Sequence, residues 1–163
     1  AFLETFKDKA LEGINAFIRA KNAYEFQDLV ATLLKAMGYY IAEVAKKGKD
    51  GGIDIIAYKD PLGVEAPRII VQVKHYANDN KVSAPAVQQL AGALKRSTDI
   101  GIFVTSSSFT SDAKREAHNN TKHIQLIDFN KFVELWKTYY GNLSLEDRKL
   151  LPLHSIYFLG TNE

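Results

Sequence analysis

The sequence predicts an α/β fold: a central mixed sheet of about five strands flanked by helices. Three observations predict it. The apolar period changes from helical to strand-like near residue 40 and returns to helical near residue 83. Counted from the second helix, the elements run αβββαβαβα, a hairpin-rich first half followed by a parallel crossover. The run at residues 100–105 is almost wholly apolar, as expected of a strand covered on both faces.

Each element has its own local reason. Leu3, Phe6, Ala10, Ile14, Phe17 and Ile18 recur at helical spacing, so residues 2–19 read as an amphipathic helix. Asn22 with Glu25 three positions on is a variant of the capping box, and Phe26, Leu29, Val30, Leu33, Leu34 and Met37 form the stripe that follows. Gly38 suits the left-handed position behind a helix. Residues 40–45 alternate weakly, as an edge strand does. Residues 46–52 form a glycine-rich loop, residues 53–58 and 68–76 two strands, and Asp60-Pro61-Leu62-Gly63 the turn between them. Asn78-Asp79-Asn80 breaks the chain. Ser83 and Pro85 open a helix with Val87, Leu90, Ala91 and Leu94 on its apolar face. A Ser/Thr loop leads from the apolar strand to a helix over residues 111–118, then comes a strand at 123–127. Asp128 caps a helix bearing Phe132, Leu135, Trp136 and Tyr139. Three parts are expected: a helix at 1–21 acting as a connector, a domain at 22–140, and an extension at 141–163 with a short helix near 145–150.

Composition narrows the function classes. The 163 residues carry 46% hydrophobic and 25% charged side chains, ordinary values for a globular domain. No apolar run reaches membrane-spanning length and no secretory leader pattern opens the chain, so a cytoplasmic protein without a membrane partner is expected. The absence of cysteine excludes disulfides and thiolate zinc sites. A net charge of +2 does not steer the protein onto nucleic acid, so any DNA contact must come from local clusters such as Lys46, Lys47 and Lys49, Lys95 and Arg96, or Lys114 and Arg115.

The informative residues are those that break the packing pattern. Residues 68–74 are apolar through their middle except for Gln72 and Lys74, which alternation places on one face. Asp54 interrupts the apolar run of the preceding strand. A turn centred near Leu62 and Gly63 sets Tyr58 against Arg68 and Asp54 against Gln72, so a carboxylate, an amide oxygen and a cation share one face. Such an oxygen-rich pocket suits a hard cation that keeps its waters, hence Mg²⁺ with Mn²⁺ as a substitute. Lys74 then serves to position water or to stabilise a charged transition state. The same pattern equally fits a diagonal Asp54–Lys74 ion pair with Gln72 bonded to a neighbouring loop. Lys49, in its glycine-rich loop where the backbone can approach closely, and Ser106 and Ser107, ahead of a helix N-terminus, are candidate phosphate contacts beside their ordinary roles as loop and cap residues. The four histidines lack metal-ligand spacing, and His75 points away from the face of Lys74.

At these residues the chain resembles the catalytic domain of Mrr-type restriction endonucleases, within the PD-(D/E)xK nuclease superfamily. The resemblance covers roughly residues 22–137, through Phe26-Gln27-Asp28-Leu29-Val30, Gly48-Lys49-Asp50-Gly51-Gly52-Ile53-Asp54-Ile55, Val71-Gln72-Val73-Lys74, Val87-Gln88-Gln89-Leu90 and Gly101-Ile102-Phe103-Val104-Thr105. It implies a restriction-endonuclease-like fold with catalytic Asp54, Gln72, Lys74 and Glu25. The metal ligands it implies are Asp54, Gln72, Glu25 and the backbone carbonyl of Val73. Gln72 stands where the wider superfamily has a carboxylate, and Ile53 where it has proline. Glu25 and Asp50 both have ordinary local roles as well, in a helix cap and a turn. Gln88, on the helix after the motif, is a candidate DNA contact.

The function implied is a Mg²⁺-dependent endonuclease cutting double-stranded DNA, the type IV-like cleavage domain of a bacterial or archaeal restriction system acting on foreign or modified DNA. Two alternatives keep the fold: a junction-resolving or repair nuclease, and a non-catalytic DNA-binding or assembly domain. No base-reading module is evident, so a specificity domain is expected outside this chain. One site per protomer implies a homodimer or higher oligomer for duplex cleavage.

Overall fold

The computed structural model describes residues 2–45 and 53–161. Helix α1 (Phe2–Arg19) leads into α2 (Ala23–Ala36), whose start is closed by a reciprocal capping box between Asn22 and Glu25. Gly38, at φ 101°, ends α2 in the left-handed conformation that only glycine adopts without strain.

Five strands form the main sheet: β1 (Tyr40–Val44), β2 (Ile55–Tyr58), β3 (Ile69–Lys74), β5 (Ile100–Thr105) and β7 (His123–Ile127), in the spatial order β1-β2-β3-β5-β7. β1, β2 and β3 pair antiparallel; β3, β5 and β7 pair parallel. The crossovers are α3 (Ala84–Ala93) and α4 (Ser111–Asn119), and α5 (Phe129–Thr138) follows β7. A short 3₁₀ turn at Tyr140–Asn142 and helix α6 (Leu145–Arg148) complete the elements.

Alternation divides the core between the two faces of the sheet. On one, Ile55, Ala57, Ile69, Val71, Ile102 and Val104 pack against Phe26, Leu29 and Leu33 of α2 and Phe132 and Trp136 of α5. On the other, Ile70, Phe103 and Ile124 pack against Val87 and Leu90 of α3 and Ala113 and Ala117 of α4. A Cβ at Gly101 would meet Leu90 Cδ2 at 3.2 Å, so this glycine lets α3 lie close against β5.

The mixed five-stranded α/β architecture is the one predicted, and the hairpin register is too: Ile55 pairs with Val71 and Ala57 with Ile69. Four details differ. β1 ends at Val44, one residue earlier than expected. β2 starts at Ile55 rather than at residue 53, because the chain leaves the regular ladder at Asp54, whose N–H bonds Val71 O at 2.9 Å. β3 is shorter than residues 68–76, since Arg68 is drawn into an ion pair and the backbone beyond Lys74 is taken by loop contacts. Just after the break at residues 78–80, and within the segment read as a Ser/Thr loop, a small parallel ladder forms, β4 (Lys81–Val82) with β6 (Ser108–Phe109). Two-residue strands carry no readable period.

The C-terminal half of α1 belongs to the core through buried Ile18, while Phe2, Leu3 and Phe6 nearer its start are exposed. Packing also runs past residue 140. Leu143 and Leu151 are buried in the same cluster, and the Trp136 indole N–H donates to Leu151 O at 2.9 Å.

Candidate active site

The site forms where β2 ends and β3 continues. Because β2 begins only at Ile55, the N–H of Val73 lacks the backbone acceptor that an antiparallel strand extending further back would offer. The Asp54 carboxylate takes that place, Oδ2 accepting the Val73 N–H at 2.7 Å. The carboxylate is thereby fixed beside the stretch of β3 that bears Gln72 and Lys74. Alternation along β3 directs the Val73 carbonyl to the same side as its N–H, toward Asp54.

Gln72 and Lys74 share the face of Ile70, the one covered by α3 and α4. The Gln72 amide oxygen is buried and has no hydrogen-bond partner among the described residues. A buried acceptor of this kind is costly unless something satisfies it. Lys74 is exposed, its Nζ lying 5.9 Å from the centroid of the Tyr76 ring. Burial raises the Asp54 carboxyl above its ordinary value; the Val73 N–H and the positive charge of Lys74 act in the opposite direction without cancelling it.

This donor set fits a hard divalent cation. It offers a carboxylate, a buried amide oxygen lacking any donor, and a strand carbonyl, all oxygens, on adjacent residues of one strand and the end of its neighbour. Among the described residues, no three His, Cys, Asp or Glu side chains cluster as a metal site, so the carboxylate contribution is thin.

Glu25 lies at the start of α2, the helix packed on the opposite face of the sheet. Its Oε1 accepts the Asn22 N–H at 2.9 Å, while Asn22 Oδ1 accepts the Glu25 N–H at 2.9 Å, so the capping role read from the sequence is occupied. Gln88 is exposed on α3, its amide nitrogen 3.4 Å from Glu116 Oε2 on α4. Lys49 and Asp50, with Lys46 and Lys47, lie outside the described residues.

The two serines, read as candidate phosphate contacts or as ordinary loop residues, both bond to the chain around their loop. Ser106 is buried, and its hydroxyl bonds His75 Nδ1 at 2.8 Å and accepts the Tyr76 N–H at 2.9 Å. Its side chain is enclosed. Ser107 donates its hydroxyl to Asn80 O, and its own carbonyl accepts the Phe129 N–H at 3.0 Å. Both serines hold the loop between β5 and β6 against the segment after β3.

Sequence reasoning did not find two polar arrangements. His75 does turn away from Lys74, as alternation predicts, yet its ring is bonded at both nitrogens, to Ser106 and to Lys21 O, and stacks on Phe26 with centroids 5.2 Å apart. At the far end of the sheet, Arg68 and buried Asp99 form a two-point ion pair with contacts of 3.1 and 2.7 Å. The signal for the second was an acidic residue just ahead of an apolar strand. For the first, no local pattern exists.

A family model described as a restriction endonuclease, Mrr_cat, matches residues 18–136. No curated protein matches the chain. Among solved structures, it is similar to AspBHI, a DNA modification-dependent restriction endonuclease, with TM-score 0.64 and 18% identity over 88% of this chain and 37% of that one. It is similar also to the MspJI restriction endonuclease, solved with a 27-mer oligonucleotide, with TM-score 0.62 and 22% identity over 88% of this chain and 35% of that one. A third similarity is to AF1548, a protein of unknown function, with TM-score 0.55 and 18% identity over 69% of this chain and 66% of that one. These likenesses show a shared fold. The chain spans a little over a third of the AspBHI and MspJI chains.

Proposed function

Because the chain belongs to the Mrr_cat restriction-endonuclease family, we propose that it is a Mg²⁺-dependent endonuclease that hydrolyses phosphodiester bonds in double-stranded DNA, with Mn²⁺ able to replace Mg²⁺. The observation that carries this reading is the buried oxygen of Gln72, without a hydrogen-bond partner among the described residues, one position before Val73, whose N–H holds the Asp54 carboxylate. An orphaned acceptor beside a carboxylate is explained by a cation that both would hold.

Asp54, Gln72 and the Val73 carbonyl are the proposed ligands, with Glu25 as an accessory carboxylate reached by leaving its cap. The chemistry a bound divalent ion supplies is charge neutralisation at a phosphoryl oxygen and acidification of water. The protein's own groups do the rest. Val73 N–H holds Asp54 in one orientation, so no reorganisation is needed when substrate binds. Lys74 reaches outward from the end of β3, where its ammonium can orient the attacking water and meet the negative charge that develops on the phosphate. Gln88 and Lys49 are proposed as DNA contacts.

The AspBHI description, DNA modification-dependent, supports modified DNA as the substrate; action on foreign DNA in the cytoplasm of a bacterium or archaeon is part of the same proposal. Base reading is proposed to belong to a module outside these residues, and a second protomer to supply the site that cuts the other strand. Plasmid DNA, unmethylated and cytosine- or adenine-methylated, tests the reading with Mg²⁺ or Mn²⁺. Asp54→Ala is expected to abolish cleavage and Lys74→Ala to slow it by about 10²–10³-fold, the scale of losing one transition-state donor. Gln72→Glu is expected to keep activity and bind the metal more tightly. Cleavage persisting in both alanine variants would remove the site assignment.

A second reading, a DNA-binding or assembly module without turnover, is favoured by the absence of a three-residue acidic or histidine cluster among the described residues. Binding without cleavage under every metal and substrate would support it.

A further inference from the structure

Behind the face that carries Lys74, a buried polar network fastens the same stretch of chain. His75 is its centre. Its Nε2 lies against Lys21 O, which can only accept, so Nε2 carries the proton. Nδ1 is hydrogen-bonded at 2.8 Å to the Ser106 hydroxyl, whose oxygen also lies 3.3 Å from Tyr76 O. The Ser106 oxygen accepts the Tyr76 N–H at 2.9 Å, and the Ser106 N–H donates to Lys74 O at 3.3 Å. Ser106 thus grips the backbone on both sides of His75.

The ends of this network matter. Lys21 directly precedes Asn22, the cap of α2, and the His75 ring stacks on Phe26 one turn into that helix. Tyr76 presents its ring to the Lys74 ammonium, 5.9 Å away, within the range of a cation–π contact. One imidazole therefore joins the start of α2, the end of β3 and the loop after β5. Lys74 itself is exposed and makes no ion pair shorter than 4.0 Å among the described residues, so little but its backbone and Tyr76 define where its ammonium stands.

We propose that His75 is a positioning residue for Lys74: held between the Lys21 carbonyl and the Ser106 hydroxyl, it fixes the end of β3 against α2 and so sets the place of the Lys74 ammonium over Tyr76. The proposal rests on Lys74 acting in DNA cleavage. It assigns His75 no contact with substrate, metal or water.

His75→Phe keeps the stacking volume and removes both hydrogen bonds; His75→Gln keeps a donor that can reach Lys21 O. Two readouts are taken in the full chain. Plasmid cleavage with Mg²⁺ is expected to lose about tenfold to a hundredfold in kcat for His75→Phe, the scale of misplacing a catalytic group by an ångström or less, with KM little changed. His75→Gln is expected to restore most of that loss. Independently of turnover, the ε-methylene protons of Lys74, assigned against Lys74→Arg, are expected upfield of an exposed lysine because of the Tyr76 ring, and at ordinary positions in His75→Phe. If His75→Phe does not fold, Ser106→Ala, which removes only the hydroxyl, takes its place with the same expected direction. Folded variants that keep both kcat and the Lys74 resonance overturn the proposal. A wild-type chain that cleaves under no condition overturns the nuclease reading instead, and the resonance alone then decides the role of His75.

Discussion

At the scale of single residues, Asp54 is where function and stability oppose each other. Burial raises its carboxyl above the ordinary value even with Val73 N–H and Lys74 nearby. An acid whose folded-state value exceeds its unfolded value destabilises the fold in its charged form. The penalty is full above the folded value, fades as pH falls through it, and is gone below the unfolded value of about 3.9. Asp54→Asn should therefore melt higher than the wild type at neutral pH, by roughly 2–4 °C if the solvent-screened gain is near 1 kcal/mol in a domain of this size. That advantage should shrink as pH falls toward 4. Mg²⁺ should reverse the order, raising the melting temperature of the wild type and not of the variant, since only a state that binds the ion gains from it. Calorimetry across pH, with and without Mg²⁺, measures both. A variant that melts lower at neutral pH would show that the carboxylate is net stabilising.

Between elements, the ion pair of Arg68 and Asp99 decides how the sheet begins. Arg68 precedes β3 and Asp99 precedes β5, so the pair aligns the first residues of two parallel strands; Arg68 O also accepts the Ile100 N–H at 3.0 Å. The Asp99 side chain is fully buried and that of Arg68 is 18% exposed. Burial pushes the Asp99 carboxyl up, but the Arg68 guanidinium and the Arg96 N–H outweigh it and leave the value below the ordinary one. Stability from this group is therefore present above about pH 3.9 and is lost as pH falls through the folded-state value. Asp99→Ala strands a largely buried guanidinium and should cost about 3–5 kcal/mol, read as a lowered denaturation midpoint. Activity per folded molecule should hold, because the pair sits at the end of the strands opposite Lys74. The hairpin on which the site depends was legible in advance, since a turn and two alternating runs determine its register locally. The ion pair was not: its partners are 31 residues apart and meet only when the crossover helix is in place.

Across the whole molecule, the packing that supports the site extends from α1 to the segment after α6. Ile18 of α1 and Leu151 beyond α6 are buried in the cluster that also holds Val71 and Val104, the neighbours of Gln72 and Thr105. Leu151→Ala should cost about 2–5 kcal/mol, as truncation of a buried leucine does. Removing the residues after Ser155 should cost little by comparison, because Ile156, Tyr157 and Leu159 are exposed. Thermal melting of the two variants separates these expectations; equal losses would mean that the tail is packed more firmly than its exposure indicates. An extension beginning at residue 141 was expected, and its buried Leu143 and Leu151 pack on the core; two isolated leucines in a short segment have no period to announce them.

The amino-acid sequence alone determined the order of elements, the mixed sheet, the hairpin register, the Asn22–Glu25 cap and the nomination of Asp54, Gln72 and Lys74. Each follows from spacing along the chain: a 3.6-residue or two-residue period, a turn, or a polar residue out of place in an apolar run. Tertiary structure decided the turning of Asp54 onto Val73, the enclosure of Ser106 and the linking of His75 to Lys21. The physical reason is that a buried polar group finds its partner by proximity in the fold, and those partners lie 19, 31 and 54 residues away along the chain. No local pattern encodes such distances.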